Sequence, residues 1–449
     1  MSAVPVLAEP TQLVTKLPDE VALEQYILKA EVDIIDRPGK QYARKKVFVR
    51  GPTNASIPLL RRDRVNRIIF FAGKFNPPHR GHRELLLNGY LSTDGKTIAA
   101  MIVPVIRTSE SEIIQTPNRL QGKSLKLTHK ERTCLWKDDL LRRFSWVFPG
   151  NHSESEAFIA RLCAITLKDG FKVEFAALGG SDHVRVENTT LHLWGTGNAI
   201  TSDITRPAEF LVSNDSQPLR IEGHGAWRKI LPLGTVKPTP DGVCGICWPC
   251  RKLAAMFPDF YHDKWKDDLD LFQGDARNVL QYCHSAQGIA WICHQLYCSD
   301  RFLLFLPSGR LYPTDDRRCS RSSSKIRDIL ENTAPEELPE KLKAMVPHPR
   351  LLLHILGRED AWPFARPVEP SYIFPCEHWK DWDWRRDAIL DVDPININLA
   401  EADSGGTNVQ DPCVNNSLGL IVRRGDPDAL LREMVREDWR KGNSGLGPK

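Results

Sequence analysis

His79 and His82 stand three residues apart in GKFNPPHRGH, residues 73 to 82, directly after the apolar run RIIFFAG. Two imidazoles at that spacing share one side of a first helical turn. With Lys74 beside them, the chemistry they suit is stabilisation of charge on a phosphate. Gly73 lets the backbone come close to a ligand. Pro77 and Pro78 stiffen the loop toward a helix start. Gly81 and His82 would open that helix, whose free N–H groups and dipole attract an anion.

A second set lies about 240 residues on. SSSKIR, residues 322 to 327, follows the apolar run RFLLFLP. Ser322, Ser323 and Ser324 suit a helix cap and present hydroxyls to phosphate oxygens. Arg327, three residues past Ser324, falls on the same face with a guanidinium fork matched to phosphate. A third stretch, ALGGSDHV at 177 to 184, places Gly180 and Asp182 at the end of an apolar run. Read without context, it is equally a Gly-Gly turn with a capping aspartate.

These stretches resemble the signatures of the HxGH nucleotidylyltransferases. Gly73, Phe75, Pro77, His79, Gly81 and His82 match a GxFxPxHxGH pattern. SSSKIR is similar to the family's ISSTxxR segment, with Ser324 where threonine is commonest. Gly180 and Asp182 match its GxD, and Arg132 in THKERTCL and Arg206 in ITRPAEF match more loosely. The resemblance covers roughly residues 67–212 and 300–332. It implies a Rossmann-like nucleotidyltransferase fold and an enzyme that moves a nucleotidyl group from a nucleoside triphosphate to a phosphate-bearing acceptor, with Mg²⁺ on the triphosphate and pyrophosphate leaving. His79, His82 and Arg327 would be catalytic. Gly73, Lys74, Phe75, Gly81, Ser322, Ser323, Ser324, Gly180 and Asp182 would bind nucleotide. Asn76 before the prolines is closer to the pyridine-nucleotide adenylyltransferases, so the implied pair is ATP with nicotinamide mononucleotide, giving NAD. CTP with a phospho-alcohol is the enzymatic alternative. A non-catalytic nucleotide-binding or partner-binding module is another.

The elements that must position these residues are strands alternating with helices. RIIFFAG, TIAAMIVPVI, KVEFAALGG and DRFLLFLPS read as buried strands. HRELLLNGYL, LTHKERTCLWKDDLLRRF and SESEAFIARLCAITLKDG read as helices, as do RKLAAMFPDF and the whole of DARNVLQYCHSAQGIAWICHQLYC. That alternation predicts an α/β fold with a mostly parallel sheet, in which ligands bind beyond the carboxyl ends of the strands. The expected division is a tail and aperiodic lead-in (1–66), the first part of the nucleotidyltransferase domain (67–212), a large internal insertion (213–299), the end of the domain with SSSKIR (300–359), and a partly disordered C-terminal extension (360–449).

Cys244, Cys247 and Cys250 form a CxxCxxC run in the insertion, followed by Cys283, His284, Cys293, His294 and Cys298. That spacing suits a structural zinc or, less well, an iron–sulfur cluster, but core or free thiols are the first expectation. Among 449 residues, 61 basic against 57 acidic side chains argue against a nucleic-acid binder acting by bulk charge, and no clear basic, aromatic-interleaved patch stands out. No apolar run approaches the roughly 20 residues a membrane span needs, and the first residues lack a secretory pattern. A cytoplasmic or nuclear protein with reduced thiols is expected. The sequence leaves the oligomeric state open.

Overall fold

The protein is described by a computed structural model over residues 19–35, 46–49, 57–93, 95–105, 120–121, 124–136, 141–191, 195–212, 217–230, 252, 275, 279, 289–308 and 322–358. The first of the predicted strands is β3 (Val65–Gly73), which leads into helix α2 (Arg80–Ser92) and then β4 (Thr97–Pro104). Two short strands, β5 (Leu120–Gln121) and β6 (Ser124–Leu125), precede helix α3 (His129–Leu135). Strand β7 (Ser145–Val147), helix α4 (His152–Lys168), β8 (Lys172–Gly180) and β9 (Asn198–Ser202) follow. After β10 (Arg228–Ile230) come β11 (Ala290–Gln295), β12 (Cys298–Leu306) and helices α5 (Ser323–Asn332), α6 (Leu338–Lys343) and α7 (Pro349–Ile355).

Eight strands form one sheet in the order β10-β11-β12-β9-β8-β3-β4-β7. Every pair from β12 to β7 is parallel, whereas β11 runs antiparallel to both its neighbours. Read by position along the chain, the parallel strands have the doubly wound order 3-2-1-4-5-6, with β3 as the first. The chain winds outward from β3 through β4 to β7, then returns to the other side of β3 with β8. That reversal opens a crevice beyond the carboxyl ends of β3 and β8. The architecture is α/β with a mostly parallel, Rossmann-like sheet, as the alternation predicts.

β3 forms the centre because both its faces are apolar. Ile68, Phe70 and Ala72 enter one buried cluster with Phe158 and Leu162 of α4, while Ile69 and Phe71 enter the other with Leu86 and Leu91 of α2. Each of the Ile, Leu and Phe side chains contributes on the order of 1.5–3 kcal/mol when removed from water. A third cluster joins Leu125, Leu127 and Leu135 to Ile326, Leu330 and Leu342. It carries α5, and with it the SSSKIR segment, onto the edge of the domain next to α3.

Three expectations change. The lead-in contains helix α1 (Leu23–Ile35), together with an antiparallel pair, β1 (Glu20–Ala22) and β2 (Leu59–Arg61). Leu23, Ile27 and Ala30 of α1 are fully buried, an i, i+4, i+7 stripe that aperiodic flanks obscured. The helix expected over LTHKERTCLWKDDLLRRF ends at Leu135, and Leu141–Arg143 form a separate 3₁₀ turn. The end of the stretch read as the helix DARNVLQYCHSAQGIAWICHQLYC is instead strand β11 and the start of β12. There Trp291, Ile292 and Cys293 pair with Phe305, Leu304 and Leu303. A helical pattern in isolation yields to an open sheet edge that offers hydrogen bonds to every second residue. β10 and β11 fall between 213 and 299, so part of that span belongs to the main sheet.

Cys244, Cys247, Cys250, Cys283, His284, nearly all of RKLAAMFPDF and the extension from 360 lie outside the described residues, as do residues 1–18. Cys134, Cys163, Cys293 and Cys298 are free. Burial pushes the Cys293 thiol up to about 12, so it stays a neutral core group. Among the described residues, no three or more His, Cys, Asp or Glu converge as a metal site, and no helix is long and apolar enough to cross a membrane.

Candidate functional site

The loop from Gly73 to His79 leaves β3 at the crevice and delivers α2. Phe75 holds it in shape with a left-handed backbone, φ 41°, a conformation that costs a bulky residue about 1–3 kcal/mol. Its ring is nearly sealed from solvent and lies 5.1 Å from Phe71, 5.0 Å from Trp136 and 5.0 Å from His82 between ring centres. The Asn76–Pro77 peptide that follows is cis.

His79 is the N-cap of α2, which opens at Arg80, one residue before the predicted Gly81. Its Nδ1 accepts the His82 amide hydrogen at 3.3 Å, and His82 Nδ1 accepts the His79 amide hydrogen at 3.3 Å. This is a capping box built from two imidazoles in place of the usual hydroxyl and carboxylate. The rings stack with centres 3.6 Å apart. An Nδ1 that accepts an amide hydrogen carries no proton, so each neutral ring bears its hydrogen on Nε2. One local motif therefore sets the tautomer of both histidines.

Burial, with a smaller contribution from the Arg206 charge, pushes His82 down to about 3. The ring is neutral across the physiological range, so it offers a phosphate a hydrogen bond and not a charge. The linkage has a definite sign. Between pH 6.5 and about 3 an unfolded chain takes up a proton at this position and the native one does not, so stability falls as pH falls through that window. The slope from this group is about 1.4 kcal/mol per pH unit. Urea unfolding at pH 4, 5 and 6 for wild type and His82→Gln measures it, and the wild-type midpoint should fall more steeply.

The second signature meets the first in space. Ser322 caps α5, accepting the Lys325 amide at 3.2 Å. Ser323 Oγ donates to the Pro77 carbonyl at 2.9 Å, and Arg327 Nη1 to the Asn76 carbonyl at 2.9 Å. Arg327 Nη2 donates to Ser324 Oγ at 2.9 Å, while its Nε is enclosed with no protein acceptor. Burial lowers the Arg327 pKa. Ser323 and Arg327 thus hold the loop itself, with Arg327 still partly exposed.

Asp182, in the 3₁₀ turn that leaves β8, pairs with Arg206 at 2.8 Å, both side chains 44% exposed. Ser181 Oγ donates to the Arg206 carbonyl at 2.8 Å, so the exits of β8 and β9 are tied together. Gly180 is tight against Asp182 Oδ1, 2.6 Å from where a Cβ would stand. Asp182 pairs with Arg206, whose charge acts on His82. The Lys74 side chain is exposed.

Arg132 takes a role the sequence did not assign. It is buried, and its guanidinium donates to three backbone carbonyls: Lys74 at 2.5 Å, Val105 at 3.2 Å and Leu127 at 2.9 Å. Burial pushes its pKa down to about 10 despite Glu131 next to it. The signal for α3 was the T-x-x-E capping box, Thr128 to Glu131, which places Arg132 at the end of that first turn. Arg132→Ala should leave those carbonyls unsatisfied at about 1–3 kcal/mol. A fall in melting temperature larger than that of Arg132→Lys checks it.

What the arrangement can do is bind and polarise a phosphoryl group at the switch-point crevice. The His82 Nε2–H, the head of α2, the partly exposed Arg327 and the exposed Lys74 surround the loop. No protein-family model matches the chain, and neither the curated proteins nor the solved structures include a match to it, so this description rests on the chain's own residues.

Proposed function

We propose that the protein transfers a nucleotidyl group from a nucleoside triphosphate, ATP in preference, to a phosphate-bearing acceptor, nicotinamide mononucleotide in preference, with NAD and pyrophosphate as products. An acceptor phosphate oxygen forms the new bond to the α-phosphorus as the bond to the β-phosphate oxygen breaks. Mg²⁺ arrives with the triphosphate as part of the substrate.

The observation that carries the reading is the reciprocal His79–His82 cap at the head of α2, which fixes both rings at the carboxyl end of the central strand with the His82 hydrogen on Nε2. Neutral imidazoles held by backbone suit a step in which charge builds on the transferred phosphoryl group and no side-chain nucleophile is needed. Arg327 and Ser324 at the head of α5 stand close enough to the loop to reach the leaving phosphates. Asp182 and Arg206, across the crevice at the exits of β8 and β9, suit the acceptor side, where Arg206 meets a phosphate and Asp182 a sugar hydroxyl. One observation favours a binding module instead: both Arg132 and Arg327 donate to loop carbonyls.

Pyrophosphate release from Mg-ATP, with and without nicotinamide mononucleotide, tests the proposal. Acceptor-dependent release supports it. Release only from CTP with a phospho-alcohol would replace both substrates. Calorimetric binding of ATP with no release under any pairing would leave the module.

A further inference from the structure

The head of α2 carries two arginines, Arg80 and Arg83, one turn apart and interleaved with the two histidines. Cations at a helix N-terminus oppose the dipole, so something must hold them. That group is Asp275, from the stretch between β10 and β11. Its Oδ1 accepts from Arg80 Nε at 2.9 Å and Nη2 at 2.5 Å, and its Oδ2 accepts from Arg83 Nε at 2.7 Å and Nη2 at 2.6 Å. Each carboxylate oxygen thus meets one guanidinium. The side chains of Asp275, Arg83 and Arg80 are 0%, 2% and 12% exposed, so the clamp is sealed from water, where charge-assisted bonds are short and directional.

The clamp closes on the turn that sets the histidine pair. Arg80 directly follows His79, and Arg83 directly follows His82. The Arg83 amide donates to the His79 carbonyl at 3.3 Å, and the Arg80 amide to the Met345 carbonyl at 2.9 Å. A displacement of Asp275 is therefore passed through two arginines, each next to one histidine in the chain, to the caps at 3.3 Å that fix both rings. Those caps are long for hydrogen bonds, so small shifts of the turn decide whether they persist.

We infer that Asp275 is a positioning residue for the His79–His82 pair and, through it, for the phosphate site. The inference deepens the nucleotidyl-transfer reading and rests on it for its kinetic consequence. Its structural content stands apart. A misplacement of about 1 Å at a reacting group costs on the order of 100-fold in rate, so a loosened turn should cost tenfold or more by the same measure.

The experiment uses the full chain labelled with ¹⁵N-histidine, as wild type, Asp275→Asn and Arg80→Ala. Nitrogen shifts report the tautomers without any substrate. In Asp275→Asn the His79 and His82 signals should move toward mixed tautomers while His152 and His354 stay in place. At a temperature where the variant is fully folded, kcat for pyrophosphate release should fall tenfold or more, with a smaller change in KM. Arg80→Ala keeps the buried Arg83–Asp275 pair and serves if Asp275→Asn does not fold; it should move the same two signals. A folded Asp275→Asn or Arg80→Ala chain with wild-type His79 and His82 signals overturns the inference. Absence of release from wild type counts against the transfer reading alone, because the histidine spectra still decide the role of Asp275.

Discussion

His82→Ala should lower pyrophosphate release by about 10²–10³-fold, the usual loss when one preorganised donor to a developing charge is removed. The expectation follows from what the ring does twice over. Its Nε2–H is a fixed donor at the crevice, and its Nδ1 accepts the His79 amide hydrogen. Alanine removes the donor, leaves that amide without its cap and takes away the stacked neighbour of the His79 ring, which keeps only the backbone amide of residue 82 on its Nδ1. The loss of the cap should lower stability by only about 1 kcal/mol. A single-turnover rate measured well below the melting temperature separates the two effects. A rate within threefold of wild type in a folded variant would remove His82 from the chemistry.

Gly73→Ala should be damaging out of proportion to one methyl group. A Cβ at this position would stand 2.8 Å and 2.9 Å from two ring carbons of Phe75, closer than any real contact. The ring has nowhere to go, since Phe71, Trp136 and His82 surround it. Relief must come from the loop, whose Lys74, Asn76 and Pro77 carbonyls are each held by a donor on another element. Overpacking of this kind costs about 1–3 kcal/mol. The shift it forces on His79 should reduce turnover by about 100-fold. Ala72→Gly, one residue earlier and inside β3, is the control: it should lower the melting temperature without a comparable loss of rate. Equal activity losses in the two variants would mean that the close approach at Gly73 is incidental.

Much of the frame was legible in the chain because burial is written locally. β3 and β4 are continuous apolar runs, as strands covered on both faces must be, and their alternation with helices predicted the parallel sheet. The histidine spacing and the SSSKIR cap were readable for the same reason, since each depends on neighbours within one helical turn. Where the reading went astray, a distant partner decided. WICHQLYC holds apolar residues at helical spacing, yet Cys293 is buried by pairing with Leu303. The chain ahead of β3 reads as aperiodic, yet Leu23, Ile27 and Ala30 find the apolar flank of α4.

The amino-acid sequence by itself determined which residues stand at the ends of the central strands, because strand ends, helix caps and turn residues are properties of a few consecutive side chains. The tertiary structure alone decided what those residues do to one another. That Arg327 and Ser323 brace the loop, that Arg132 holds the Lys74 carbonyl, and that Asp275 clamps two arginines beside the histidines are contacts across 58 to 251 residues of chain. Contacts at that separation leave no periodic trace, since they are fixed only when the sheet closes and buried polar groups must find partners.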